Sequence, residues 1–202
     1  MAHCENPSFA NGDFYFLSDN NNSCIALHDI DPFNWKAIDA YSKTKEIPEF
    51  ISVIELQGLI SRSKEVTNEL LDFAVSKVPV DGLKTLKLLY WESVQKLEIE
   101  VLDYLIAKSA KLSKLEIEGM SEVQECIRED LGYAVVRILE LKPPLSVLRL
   151  VETGFRGEVG DQICTVLIKS GIASIRDLEL VELPEWFDSD QKCEKWAQVI
   201  TL

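Results

Sequence analysis

One short pattern recurs along this chain and constrains its fold more than any other feature: an apolar residue, two spacers, a second apolar residue, one spacer and a third apolar residue. The pattern occurs five times, at intervals of 32, 29, 33 and 30 residues, in residues 51–56, 83–88, 112–117, 145–150 and 175–180. A period in this range is typical of a solenoid, in which each repeat is one supersecondary unit. The sequence therefore predicts a repeat array.

Between the repeated motifs, the spacing of apolar residues changes from two to three and four, which is typical of amphipathic helices. Such stripes are expected at residues 66–74, 94–105, 123–141, 159–167 and 193–200. Ser121 and Gln124 have the spacing of a capping box at the start of the third helix. A strand followed by a helix, repeated in phase, predicts a parallel sheet.

Apolar and polar residues alternate within the motifs, so only one face of the predicted sheet is expected to be covered by helices. Leu86 and Leu88 are predicted to point inward, whereas Thr85, Lys87 and Leu89 point to the opposite face. The expected fold class is α/β: a right-handed solenoid with one curved parallel sheet on its concave side and helices on its convex side.

The N-terminal segment is predicted to contain a degenerate extra repeat. Ile25 precedes Ile54 by the same interval as Leu27 precedes Leu56, namely 29 residues. Residues 13–17 are expected to fold back on residues 24–28 as an antiparallel strand, which would cover the open edge of the sheet. Residues 1–49 then form an N-terminal cap, and residues 50–202 form about five repeats of one continuous solenoid domain.

The recurring L-x-x-L-x-L motif resembles the strand signature of the leucine-rich repeat family. Repeats of this length, each with a full helix, are similar to the ribonuclease-inhibitor-like subclass of that family, over residues 22–202. The resemblance implies a horseshoe and a protein-binding function. The chain departs from the family pattern three residues after the last strand leucine, where the family places asparagine or cysteine: here the residues are Leu59, Trp91, Met120, Thr153 and Leu183.

The bulk composition argues against several classes of partner. The formal net charge of −13 disfavours nucleic acid, because proteins that bind phosphate backbones gather Lys and Arg on one face. Apolar runs fall short of the roughly 18 residues of a membrane span, so no membrane partner is expected. The five cysteines are scattered without a C-x-x-C pair, which indicates neither a disulfide framework nor a zinc site. A reducing compartment follows, and the chain is predicted to be cytoplasmic or nuclear.

Catalytic, metal and cofactor sites are not expected. The only histidines are His3 and His28, both in the N-terminal segment, so the repeats offer no base for a nucleophilic triad. His28, Asp29 and Asp31 are close in sequence, but Asp31 followed by Pro32 is better interpreted as a helix start, with a helix to about Thr44. No metal is therefore predicted there, and the chain is interpreted as a non-enzyme.

A glycine-rich loop lies between the fourth motif and the following helix, at residues 154–160. Its G-x-x-G-x-x-G spacing is not a nucleotide-binding pattern, and Glu158 would place negative charge where a phosphate binds. We expect a tight turn without a cofactor, and Phe155 and Arg156 at its tip are available to a protein partner.

The central outward position of each motif carries a charge whose sign alternates from repeat to repeat. These residues are Glu55, Lys87, Glu116, Arg149 and Glu179. Because neighbouring strands lie about 4.8 Å apart, the side chains are predicted to form a ladder of opposite charges. The ladder either relieves like-charge repulsion or serves as a recognition strip, with Lys87 and Arg149 as anchors.

The column beside the ladder is more apolar than a solvated face requires: it consists of Gln57, Leu89, Glu118, Val151 and Val181. With Val147, it predicts an apolar patch, which either binds a partner or is covered by loops. The last strand is followed by Trp186, Phe187 and Trp196, which are expected to cap the array or to contact a second subunit.

These observations predict a non-enzymatic interaction or scaffold module that binds another protein through the concave sheet face, the C-terminal end or both, with self-association through that end possible. A regulator of a partner enzyme, such as a small GTPase, is the alternative. A ubiquitin-ligase substrate adaptor ranks lower, because residues 1–50 offer only one short helix. The candidate partner-binding residues are Lys87, Leu89, Glu116, Val147, Arg149, Val151, Phe155, Arg156, Val181, Trp186 and Trp196.

Overall fold

A sheet whose strands follow one another in sequence order is the centre of the structure, a computed structural model. The residues described are 8–9, 12–19, 22–28, 40, 51–58, 64–91, 94, 97–120, 122–170 and 175–181. The strands are β1 Ser8–Phe9, β2 Gly12–Asp19, β3 Asn22–His28, β4 Ile51–Gln57, β5 Thr85–Leu89, β6 Lys114–Glu118, β7 Val147–Val151 and β8 Asp177–Val181. The six strands β3 to β8 are all parallel, so the chain has an α/β fold with a parallel sheet.

The two N-terminal strands are antiparallel and confirm the predicted hairpin. β2 pairs with β3 in a register that places Asp13 opposite His28 and Leu17 opposite Cys24. β3 then pairs in parallel with β4, with Leu27 beside Leu56. The predicted interval of 29 residues is therefore the true register between the extra strand and the first full repeat.

Helices alternate with the strands from β4 onward. They are α1 Lys64–Ser76, α2 Ile99–Lys108, α3 Glu125–Glu140 and α4 Gly157–Ser170. All four match predicted stripes, but α2 and α3 begin later than the stripes do. Val94, Leu97 and Val123 lie before these helices and are nonetheless buried. An apolar side chain can reach the core from an irregular segment, so burial alone does not locate a helix start.

The predicted capping box at the start of α3 is wrong. Gln124 is itself the N-cap residue of α3, and it makes no capping hydrogen bond through its side chain. At the start of α2 the cap comes from a neighbouring helix, because the backbone N–H of Glu98 donates to Oδ1 of Asn68 in α1 at 2.8 Å. A tertiary contact supplies what local sequence would otherwise have to provide.

The helices pack on one face of the sheet. The inward strand residues are almost completely buried and belong to one core cluster with the helix residues: Ile54, Leu56, Leu86, Leu88, Leu115, Ile117, Leu148 and Leu150. Residues at alternate positions point the other way and, in most cases, retain partial exposure. The predicted alternation is confirmed: one sheet face is covered by helices, and we call the other one the open face.

The backbone leaves each of the first four motif strands in the same way. A residue with positive φ follows in every case, namely Gly58, Tyr90, Gly119 or Glu152. The N–H groups of the first three donate to the carbonyl of the last residue of the next strand, at 2.7 to 3.0 Å. At the entry to the strands, a matching set of bonds joins Lys84 N to Ser52 O and Ser146 N to Ser113 O, each at 2.8 Å.

The position where the leucine-rich repeat pattern has asparagine is buried in three successive repeats, at Trp91, Met120 and Thr153. Nε1 of Trp91 donates to the carbonyl oxygen of Leu56 at 3.3 Å. The indole N–H thus satisfies a backbone carbonyl of the preceding strand, and the rest of the indole ring fills a large apolar volume in the core.

Some predicted elements lie outside the described residues. They are the helix at residues 31–44, apart from Ala40, and the whole C-terminal segment after β8, which includes Trp186 and Trp196. In the portion of the chain that is described, no helix has the length and apolar character that crossing a membrane would require.

Candidate protein-binding surface

The register of the parallel strands arranges the open face in columns. The central column pairs Glu55 with Lys87, Lys87 with Glu116, Glu116 with Arg149, and Arg149 with Glu179 on neighbouring strands. One flanking column contains Val53, Thr85, Lys114, Val147 and Asp177, and the other contains Gln57, Leu89, Glu118, Val151 and Val181. The predicted grouping of Lys87, Leu89, Glu116, Val147 and Arg149 on one face is confirmed.

The central column forms the predicted ladder of opposite charges. Nζ of Lys87 lies 2.8 Å from Oε2 of Glu55 and 3.8 Å from Oε2 of Glu116. Nη1 of Arg149 lies 3.4 Å from Oε1 of Glu116, and its Nε lies 2.7 Å from Oε2 of Glu179. Every neighbouring pair in the column is therefore an ion pair across adjacent strands.

Glu116 is the centre of this ladder. Besides Lys87 and Arg149, Nζ of Lys114 lies 3.0 Å from its Oε1, so three cations converge on one carboxylate. The side chain of Glu116 is only 9% exposed. Sequence reasoning missed Lys114, although a residue two positions before Glu116 on the same strand must share its face.

The ladder shifts the titration of its members. Burial alone would raise the pKa of Glu55, but the hydrogen bond and charge of Lys87, with a contribution from His28, outweigh it and lower that pKa. Burial would likewise lower the pKa of Lys87, and the hydrogen bond and charge of Glu55 outweigh it and raise that pKa. Both groups are held in their charged forms, which keeps the ladder intact at neutral pH.

At the end of the ladder nearest the N terminus, Nε2 of His28 lies 3.0 Å from Oε1 of Glu55. Cys24 shares the open face with Val53 and is half-buried. Burial, followed by the negative charge of Glu55, raises the pKa of the Cys24 thiol to about 11. The thiol is protonated at neutral pH, so this corner of the face lacks a thiolate nucleophile.

The apolar part of the open face is narrower than predicted. Leu89 and Val147 are partly exposed, but Val151 is buried and offers a partner little surface. Val181 occupies the corresponding register position in β8, beside Val151. Its side chain lies outside the described residues.

At the rim of the open face, the hydroxyl of Tyr90 donates to Oε1 of Glu118, and this hydrogen bond raises the pKa of Tyr90.

The prediction that Phe155 is presented to a partner is wrong. Phe155 is only 2% exposed and belongs to the core cluster. Its ring packs towards α3 at Gly132, where a Cβ atom would lie 3.3 Å from Cδ1 of Phe155. The loop at 154–157 turns this ring inward because the core offers a place for it beside a residue without a side chain. The neighbouring Arg156 is exposed, as predicted.

The open face carries paired ions, a phenol and a few aliphatic groups. Among the described residues, no group of three or more His, Cys, Asp or Glu side chains could hold a metal ion. Comparison of the chain with protein-family models, with curated proteins and with solved structures finds no significant match.

Proposed function

We propose that this chain is a divergent leucine-rich repeat solenoid that acts as a non-enzymatic interaction module and binds a protein partner through the open face. The observation that carries the proposal is a parallel sheet with one face free of helices in the part of the chain that is described. Parallel sheets in ordinary α/β domains are covered on both faces. The outward side chains Val53, Lys87, Leu89 and Arg149 are partly exposed, so a partner can contact them.

The periodic backbone supports the solenoid part of the proposal. The strands enter and leave the sheet through the same hydrogen bonds in successive repeats, and each of the first four exits uses a residue with positive φ. This recurrence supports a solenoid, in which neighbouring repeats stack on one another in the same way. The buried Trp91 and Thr153 take the place of the family's asparagine column.

The ladder supports the binding part. Its ion pairs hold long side chains in one arrangement before a partner arrives, so less side-chain entropy is lost on binding. Arg149 and Lys87 remain partly exposed at the ladder positions on either side of the nearly buried Glu116. Val147 and Leu89 add aliphatic surface beside them. A partner that binds this face needs charges of opposite sign at matching positions, which favours specificity.

Site-specific photo-cross-linking in the native source tests the proposal. Benzoylphenylalanine is incorporated at Val147 on the open face, and in a matched control at Val80, an apolar residue of the same type that is 77% exposed in the loop between α1 and β5. We expect a discrete protein adduct from the Val147 position and none of the same mass from Val80.

An adduct from Val80 alone, or adducts of identical pattern from both positions, would contradict binding on the open face. As a second criterion, Arg149→Glu should abolish the adduct formed at Val147, because it places a third negative charge between Glu116 and Glu179. An adduct that persists in this variant would show that the ladder takes no part in recognition.

A further inference from the structure

Large apolar side chains are exposed mainly on the helix side of the molecule. Among the described residues they are Val80, Tyr90, Ile99, Tyr104, Tyr133 and Leu141, and only Tyr90 lies at the rim of the open face. Two of them line the same groove between α2 and α3. Ile99, the first residue of α2, is 65% exposed, and Tyr133 faces the groove from α3.

The groove has the size and lining of an anchor site. Its volume is about 170 Å³, and its floor is formed by the buried residues Leu102, Ile106 and Ala134. The groove is open at Ala134 because the alanine side chain is small, and the larger side chains of Ile99 and Tyr133 form its walls. Such a site accommodates one large aliphatic or aromatic side chain, as in helix-in-groove recognition.

The surface around the groove is negatively charged. α2 and α3 carry six carboxylates against three cations. Of the cations, Lys108 is buried and donates to the carbonyl of Val78 at 2.6 Å, and Arg137 is paired with Asp103 at the groove wall. Asp130, also at the groove, has no ion-pair partner among the described residues. This field repels nucleic acid and anionic lipid, and attracts cationic protein segments.

We propose that the groove between α2 and α3 binds a basic amphipathic helix of a second protein partner, with one large apolar side chain inserted between Ile99 and Tyr133. A lysine or arginine side chain of that helix lies beside Asp130. Helix-in-groove recognition has this form, with apolar anchors on one face and charges on the flanks. The molecule thus has a second binding surface on its helix side, independent of the open face.

The test uses the full chain and a fluorescently labelled amphipathic helical peptide composed of leucine and lysine. Binding is followed by fluorescence anisotropy. Ile99→Ser should weaken binding about tenfold, as expected for the loss of one partly buried aliphatic contact. Asp130→Asn should weaken it by a smaller factor and reduce its salt dependence. Both residues lie at the surface, and circular dichroism establishes that each variant folds.

Two controls separate this site from general attraction to an acidic protein. Val80→Ser removes an aliphatic side chain that is more exposed than Ile99 but lies away from the groove, and it should leave the affinity unchanged. A peptide of leucine and glutamate with the same pattern should not bind. The proposal is overturned by undetectable binding of the lysine peptide, by equal weakening in Ile99→Ser and Val80→Ser, or by equal binding of the two peptides.

Discussion

Replacement of Glu116 by Gln tests whether the centre of the charge ladder stabilises the fold. The substitution keeps the shape of the side chain and removes its charge. It leaves Lys87, Lys114 and Arg149 facing a neutral amide at the places where their nitrogens lie 3.8, 3.0 and 3.4 Å from the carboxylate. The expected result is a loss of stability larger than that caused by neutralising any exposed member of the ladder.

The magnitude follows from burial and from the remaining partners. One pair of unit charges 4 Å apart is worth about 1 kcal/mol in water and about 4 kcal/mol at an effective dielectric constant of about 20. The three cations are partly exposed, and Lys87 and Arg149 keep Glu55 and Glu179 as partners. We therefore expect Glu116→Gln to lower the free energy of unfolding by about 2 kcal/mol, below the 3–5 kcal/mol that is typical for breaking a fully buried pair.

The matched control is Glu179→Gln. The side chain of Glu179 is 41% exposed and is paired only with Arg149 among the described residues, so its loss should cost about 0–1 kcal/mol. Urea unfolding, followed by both circular dichroism and tryptophan fluorescence, gives the two values, provided that the two probes report coincident transitions and the slope is unchanged. If Glu116→Gln costs no more than Glu179→Gln, the convergence of three cations on Glu116 does not stabilise the protein.

Three further predictions concern stability and are read from the same unfolding curves. The pKa of Glu55 is lowered from 4.5 and that of Lys87 is raised from 10.5, so the ion pair stabilises the fold fully between pH 4.5 and pH 10.5. This stabilisation is lost at lower pH as Glu55 is protonated and at higher pH as Lys87 is deprotonated. A Glu55→Gln variant whose stability falls as steeply in acid as that of the wild type would contradict this. Gly119→Ala should lower the free energy of unfolding by about 2 kcal/mol or more, since φ is +69° and the new Cβ would lie 2.5 Å from Cδ1 of Tyr90. The control Gly157→Ala, at φ +53° with open space around it, should lower it by only about 1–2 kcal/mol. Equal losses of stability would exclude a steric contribution from Tyr90. Trp91→Phe removes the hydrogen bond to the carbonyl of Leu56 together with buried volume, with an expected loss of about 1–3 kcal/mol. Unchanged stability would show that neither the bond nor the lost volume stabilises the fold.

The repeated motif was sufficient to predict the sheet. Because side chains alternate with period two, placing the motifs in phase determines both the strand register and the face to which each residue points. The pairs Glu55 with Lys87 and Glu116 with Arg149 follow directly from this, and the structure has both as ion pairs. The antiparallel hairpin at the N-terminal end was predictable for a related reason, because an open parallel edge requires a cover.

The details of the surface depended on how the elements pack. Phe155 lies in a glycine-rich loop, which the sequence predicts to be exposed. In the structure its ring is buried, because Gly132 in α3 has no side chain and leaves room for it. Val151 belongs to the outward column and is buried all the same. Tyr90 has φ of +56°, a left-handed conformation that bulky side chains disfavour, so the sequence around Tyr90 does not predict it.

The sequence by itself therefore determined the strand order, the register and the sign of each charge in the ladder, because all three follow from one period and one alternation. Only the tertiary structure decided how deeply Glu116 is buried, that Lys114 joins it, and that Ile99 and Tyr133 enclose a groove between two helices. These features depend on distances between elements far apart in sequence, and such distances are set by the packing of the whole core and not by the pattern of any single repeat.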